Sequence, residues 1–148
     1  MLQTIENLRQ VARHLSERET LPDPLAQWLA SSLGEFLRHR RASLEEAFGL
    51  RSSRGGVPWW LEEAMRQRDA ALRQLALRFY PGSSLSARAH AIRTRALRYA
   101  ASAWRRDRCQ DAMPPDYAGR QSEWLWRAFK SGAPMPICER RMRHILGH

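Results

Sequence analysis

The sequence has 148 residues, 43% hydrophobic and 27% charged, with a formal net charge of +10. That length suits one domain, or one domain with a small appendage, and the composition excludes a disordered chain. No apolar run approaches the roughly 20 residues that span a bilayer, and the charged, amphipathic N-terminus lacks the apolar core of a signal peptide, so a cytoplasmic protein is expected.

Apolar residues recur at spacings of three and four throughout, with no strand-like alternation and no internal repeat. The expected fold class is all-α, a multi-helix bundle of about six or seven helices. A first helix runs from about Thr4 to Arg18, with Ile5, Leu8, Ala12 and Leu15 on one face and Thr4 as its cap. The second begins at Asp23 as N-cap, with Pro24 at the first helical position, where its missing N–H costs nothing. Leu25, Trp28, Leu29, Leu33, Phe36 and Leu37 form its apolar stripe. Ser43 and Glu46 make a capping box for a short third helix, which Gly49 stops. Residues 1–50 thus read as an N-terminal helical subdomain, and residues 51–57, rich in Ser and Gly, as a flexible linker.

Residues 58–148 read as a basic helical region. A long helix opens at Pro58 and runs to about Tyr80, burying Leu61, Met65, Leu72, Leu75, Ala76 and Phe79. Ser84 caps the next, which runs to about Arg108 with Leu85, Ala89, Ile92, Ala96, Tyr99 and Ala103 as a narrow, Ala-rich seam, widened by Leu97 and Trp104. Such a seam lets a partner helix approach closely, and residues 59–108 are expected to form an antiparallel hairpin. After an irregular connection holding Pro114, Pro115, Tyr117 and Gly119, a C-terminal helix pair occupies 122–146, with helices over 122–130 and 137–146.

Charge is unevenly divided. Residues 1–57 hold 8 Arg and 7 acidic residues, whereas residues 58–148 hold 16 Arg, 1 Lys and 8 acidic residues. Choosing Arg over Lys almost everywhere is what a GC-rich bacterial or phage genome imposes, but coding bias does not explain the asymmetry. A surplus of this size in one region points to a polyanionic partner, of which nucleic acid is the commonest.

Two groups of arginines are the candidate contacts. Arg88, Arg95, Arg98 and Arg105 are spaced seven, three and seven, so they share one face of the 85–108 helix, which Arg106 and Arg108 extend. Such a rod can lie along a phosphate backbone and release counterions. A solvated polar face is the alternative. The second group lies in the C-terminal pair: Ala128 in the first helix, Gly132 in the turn, and a last helix with Arg140, Arg141, Arg143 and His144 outward and Met142, Ile145 and Leu146 inward. This order resembles the bacterial helix-turn-helix DNA-binding families. The resemblance implies that the last helix enters the major groove. It spans about 25 residues, and it departs from the family in a longer turn, Ser131–Pro136, which holds two prolines, and in Arg127 and Ser131 at positions often apolar. A helical pair packed on the core is the other reading of the same residues. The 79–95 segment, with Arg88, Arg93 and Arg95, is a competing but longer helix pair, and Trp59-Trp60 reads as a core cap or a stacking surface.

Nothing points to catalysis. His14, His39, His90, His144 and His148 are scattered, and no phosphate loop or nucleophile elbow occurs. Cys138, His144 and His148 match no zinc spacing, and the two cysteines, Cys109 and Cys138, lie too far apart for a paired motif, so no cofactor, metal or disulfide is expected. The function expected is therefore non-catalytic nucleic-acid binding, with DNA favoured, by a small regulator or mobile-element accessory factor. The alternative is a protein-interaction module, such as a phage-type inhibitor of the anti-CRISPR kind or a small helical subunit of a nucleoprotein complex. The near-neutral N-terminal subdomain could form a homodimer under either.

Overall fold

The computed structural model describes residues 2–51 and 56–147, so most of the linker expected over 51–57, together with Met1 and His148, lies outside the described residues. The chain is all-α. Its helices are α1 (Leu2–Ser16), α2 (Asp23–Leu37), α3 (Leu44–Ala47), α4 (Trp59–Phe79), α5 (Leu85–Ala101), α6 (Trp104–Asp107), α7 (Gln121–Lys130) and α8 (Glu139–Leu146), with one 3-10 turn at Pro115–Tyr117, and no strand occurs among the described residues. Two compact units divide it, Met1–Trp59 and Trp60–His148.

In the first unit, Pro22 occupies the N-cap of α2 and makes no side-chain bond, so Asp23 is the first helical residue rather than the cap. The capping box of α3 forms only in part. Ser43 Oγ accepts from the Glu46 amide at 3.2 Å, while the Glu46 carboxylate reaches the Ala42 amide at 3.1 Å instead of that of Ser43. Gly49 closes the helix at φ +68°, where a side chain would be strained. Ile5, Val11, Leu25 and Leu50 are buried, and Trp28 packs on Phe48 with ring centroids 5.3 Å apart. The buried face of α1 follows Ile5 and Val11, whereas Ala12 and Leu15, expected on that face, are exposed. Leu33 and Leu37 of α2 are exposed as well.

The second unit has the larger core. Leu72 and Leu75 of α4, Ile92 of α5, and Met142 and Ile145 of α8 are essentially inaccessible. Tyr99, Trp104, Tyr117 and Phe129 form an aromatic cluster beside them, Phe129 lying 5.2 Å from both Tyr99 and Trp104 between centroids. Although α4 and α5 share this core, the close backbone approach along α5 is made by α8. Ala89 and Ala96, both fully buried, leave room there for the Met142 and Ile145 side chains. The Ala-rich seam therefore selects the C-terminal helix rather than α4, its expected hairpin partner.

Two buried polar groups tie distant segments to α4 and α5. Arg68, 3% exposed, pairs with Asp69 at 2.8 Å and donates from Nη1 to the Pro134 carbonyl at 3.1 Å, anchoring the segment before α8. The other is Asp107, which is fully buried. It accepts the Tyr99 hydroxyl at 2.8 Å and the Tyr117 hydroxyl at 2.7 Å on one carboxylate oxygen, and Arg106 Nε at 3.0 Å on the other.

Candidate nucleic-acid interface

The Asp107 network decides where Arg105 and Arg106 go. A helix continuing from Ser84 to Arg108 would carry Asp107 along the buried seam, in line with Ala89 and Ala96. Instead α5 ends at Ala101, and Ser102 takes φ −120° and ψ −94° while its hydroxyl donates back to the Arg98 carbonyl at 2.7 Å. The break rotates α6 so that the Asp107 carboxylate meets the two tyrosines. A buried carboxylate is tolerated only when its lone pairs are filled. Burial on its own pushes the Asp107 carboxyl up, but hydrogen bonds from Tyr117, Tyr99 and Arg106 outweigh it and hold the group below the usual carboxylate range. Burial, then the hydrogen bond to Asp107, pushes both tyrosine hydroxyls up, and the same carboxylate raises the Arg106 guanidinium above its usual value.

The break divides the expected four-arginine face. Arg88, Arg95 and Arg98 remain on one flank of α5, as a spacing of seven and three requires. Arg105 and Arg106 belong to α6 and no longer continue that flank. Leu97 is exposed while Trp104 turns into the aromatic cluster, so these two do not widen a common apolar face.

Within α5 the three arginines differ. The Ser84 hydroxyl caps the helix by accepting from the Ala87 amide at 3.3 Å, and Arg88 reaches back over this start to donate to the carbonyls of Ser83 at 2.9 Å and Pro81 at 3.4 Å. Arg88 thus clamps the α4–α5 turn. Arg95 and Arg98 are exposed.

The C-terminal group is held by a separate set of contacts. Gly132 adopts φ +84° in the segment between α7 and α8, and Ala128, Met142 and Ile145 are buried. With these inward, Arg140, Arg141, Arg143 and His144 are exposed on α8. Arg140, Arg141 and His144 line a shallow depression with Cys138, about 290 Å³ in volume. Glu139 at the start of α8 lies 3.5 Å from His90 of α5, and Arg73 of α4 donates to the Ile145 carbonyl at 3.0 Å near its end. Both arginine groups therefore sit on elements of one packed body.

Ion pairs to arginine occur in both units. In the first, Glu35 alone faces Arg38, Arg40 and Arg41 within 4 Å, and Glu46 faces Arg51. In the second, Glu63, Asp69, Asp107 and Glu123 each pair with an arginine adjacent or within one helical turn. Among the described residues, the side chains of Arg95, Arg98, Arg105, Arg140, Arg141 and Arg143 make no ion pair or hydrogen bond. Of the eight arginines singled out in the sequence, six are thus exposed and uncompensated, while Arg88 and Arg106 also have internal partners.

The tryptophans of α7 hold cations, two from their own helix and one from α4. Arg78 of α4 and Arg127 lie 4.8 and 5.1 Å from the Trp124 ring centroid, and Lys130 lies 5.9 Å from that of Trp126. The spacings Trp124–Arg127 and Trp126–Lys130, three and four residues, are a signal visible in the sequence, whereas the arrival of Arg78 from α4 is not. Of the Trp pair at the start of α4, Trp59 donates to Glu45 at 2.9 Å, and Trp60 is 56% exposed.

Among the described residues no three His, Cys, Asp or Glu side chains gather as a metal site, and no helix is long and apolar enough to cross a membrane. Compared with known protein families, curated proteins and solved structures, the chain matches none.

Proposed function

We propose that this chain is a non-catalytic nucleic-acid-binding protein, with DNA the favoured partner, and that its contact surface is built from the arginines of α5, α6 and α8. One observation carries the reading: Arg95, Arg98, Arg105, Arg140, Arg141 and Arg143 are exposed and lack carboxylate partners, in a unit with few carboxylates to spare. Cations left unpaired on a rigid surface keep their full field for an outside anion. Guanidinium forks suit phosphate oxygens, and on a helix laid in the major groove they also suit the O6/N7 edge of guanine. On this reading Arg95, Arg98 and Arg105 hold phosphates. Arg140, Arg141 and Arg143 of α8 approach base edges, as the helix-turn-helix resemblance implies.

Fluorescence anisotropy with labelled duplex DNA at low and near-physiological salt tests it. Three phosphate contacts predict a loss of roughly fortyfold between about 50 and 200 mM salt. Absence of binding at low salt would remove the proposal.

A second reading, a protein-interaction module, draws on other residues. Leu15 and Leu37 are 61% and 72% exposed in the first unit, two large apolar side chains open to a partner. Such a surface suits a second copy of the chain or another protein, and sedimentation of the purified chain tests the former.

A further inference from the structure

A groove of about 380 Å³ lies between α4 and α7, on a different flank of α4 from Arg73, which meets α8. That volume falls at the small end of the range for ligand sites, roughly 300–1,000 Å³. Gln67, Ala70 and Gln74 line it from α4, and Trp124, Trp126 and Lys130 from α7.

Three features of the groove have one chemistry in common. The indole Nε1 atoms of Trp124 and Trp126 are both buried without a hydrogen-bond partner. With those atoms covered by protein, what the two indoles offer the groove is their apolar, planar ring surface. The Gln74 carbonyl oxygen is occupied by Arg78 Nε at 3.3 Å and the Gln67 amide nitrogen by Glu63 at 2.8 Å. That leaves one amide donor and one amide acceptor on the α4 wall, the pairing that a base edge offers in complement. The rim is cationic, with Arg127 and Lys130 held in place by Glu123 at 2.9 Å and by the Arg108 carbonyl at 3.2 Å. A planar, acceptor-bearing ring joined to an anion matches all three.

We propose that this groove takes one unpaired nucleobase of a single-stranded nucleic acid, stacked on Trp126, with the adjoining phosphate at Arg127 and Lys130. Inside a duplex the bases are stacked on one another and cannot enter, so the groove favours a flipped, frayed or single-stranded nucleotide. The inference rests on the nucleic-acid reading above. It assigns to α4 and α7 a recognition role separate from the arginines of α5, α6 and α8.

Two variants test it. Trp126→Ala removes the stacking surface, but Trp126 also packs against the core. Ala70→Gln is the cleaner change. Ala70 is exposed on α4, so a longer neutral side chain fills the groove without altering charge, and Gln remains a good helix former. Binding is measured for labelled oligothymidylate and oligouridylate of about 20 nucleotides, longer than common single-strand site sizes, and for a blunt DNA duplex. Both variants are expected to bind the single strands roughly tenfold more weakly, the loss of about one stacked base, and the duplex as wild type does. A loss confined to one of the two single strands identifies that nucleic acid as the source of the base. If Ala70→Gln binds both single strands as tightly as wild type while duplex binding persists, the groove assignment falls and the arginine surface stands. If the wild-type protein binds neither strand nor duplex at low salt, both fall together.

Discussion

The hydroxyl of Tyr99 donates to the carboxylate of Asp107 across 2.8 Å, between residues eight apart in the chain and on either side of the break between α5 and α6. With Tyr117 donating to the same oxygen, this bond holds a fully buried anion and fixes the direction of α6.

Acid and alkali should each weaken the protein through this network. The Asp107 carboxyl is held below its ordinary value of about 3.9, so its stabilisation is complete above that pH and is lost as pH falls through the depressed folded value. Tyr99 and Tyr117 are raised, so their contribution is complete below about pH 10 and is lost as pH climbs beyond it. Urea unfolding of Asp107→Asn should show a loss of about 2–3 kcal/mol at neutral pH and a shallower acid limb than wild type. In an ultraviolet titration, Tyr99 and Tyr117 should ionise only as the fold opens.

Adjacent residues of α5 should respond in opposite ways to a change of size. Ala96 is fully buried where α8 approaches, and Leu97 is 42% exposed. Ala96→Leu should cost about 1–3 kcal/mol in denaturant unfolding, because the added carbons displace packed atoms. Leu97→Ala should leave the midpoint within about 0.5 kcal/mol of wild type.

The arginines should separate into binding and clamping groups. Replacing Arg95, Arg98 and Arg105 by Ala should leave stability unchanged and flatten the log–log salt dependence of DNA binding by about 0.9 for each phosphate no longer neutralised. Replacing Arg140, Arg141 and Arg143 should reduce the preference among duplex sequences. Arg88→Ala should in addition lower the thermal midpoint, since Arg88 bonds the carbonyls of Ser83 and Pro81. Equal binding by all of these variants would remove the arginine surface as the contact.

Gly132 carries a backbone cost that can be isolated. It sits at φ +84°, and a Cβ built there meets no atom within 4 Å. Gly132→Ala should therefore destabilise by about 1–2 kcal/mol through the left-handed backbone alone. Gly82→Ala, where a Cβ is equally free and φ is not left-handed, serves as the control and should be near neutral.

Helix identity, the Ser43 and Ser84 caps and charge were legible in the residues because each is decided within one or two turns. The spacing of Leu72 and Leu75, the Ser84 cap and the outward Arg140 and Arg143 all follow from helical periodicity and local hydrogen bonding. The surplus of cations after residue 57 is a matter of composition. Tertiary structure alone decided the rest. The pattern of α5 could not tell that Asp107 would find Tyr117 ten residues on and stop the helix at Ala101, because a buried charge is stable only where distant donors converge on it. Nor could it tell that Ala89 and Ala96 would receive α8 instead of α4, since a small-residue seam admits any helix that complements it. The uncompensated arginines and the groove between α4 and α7 belong to the same class. Whether a guanidinium is neutralised, or an indole N–H left without an acceptor, depends on which side chains long-range packing brings within hydrogen-bond reach.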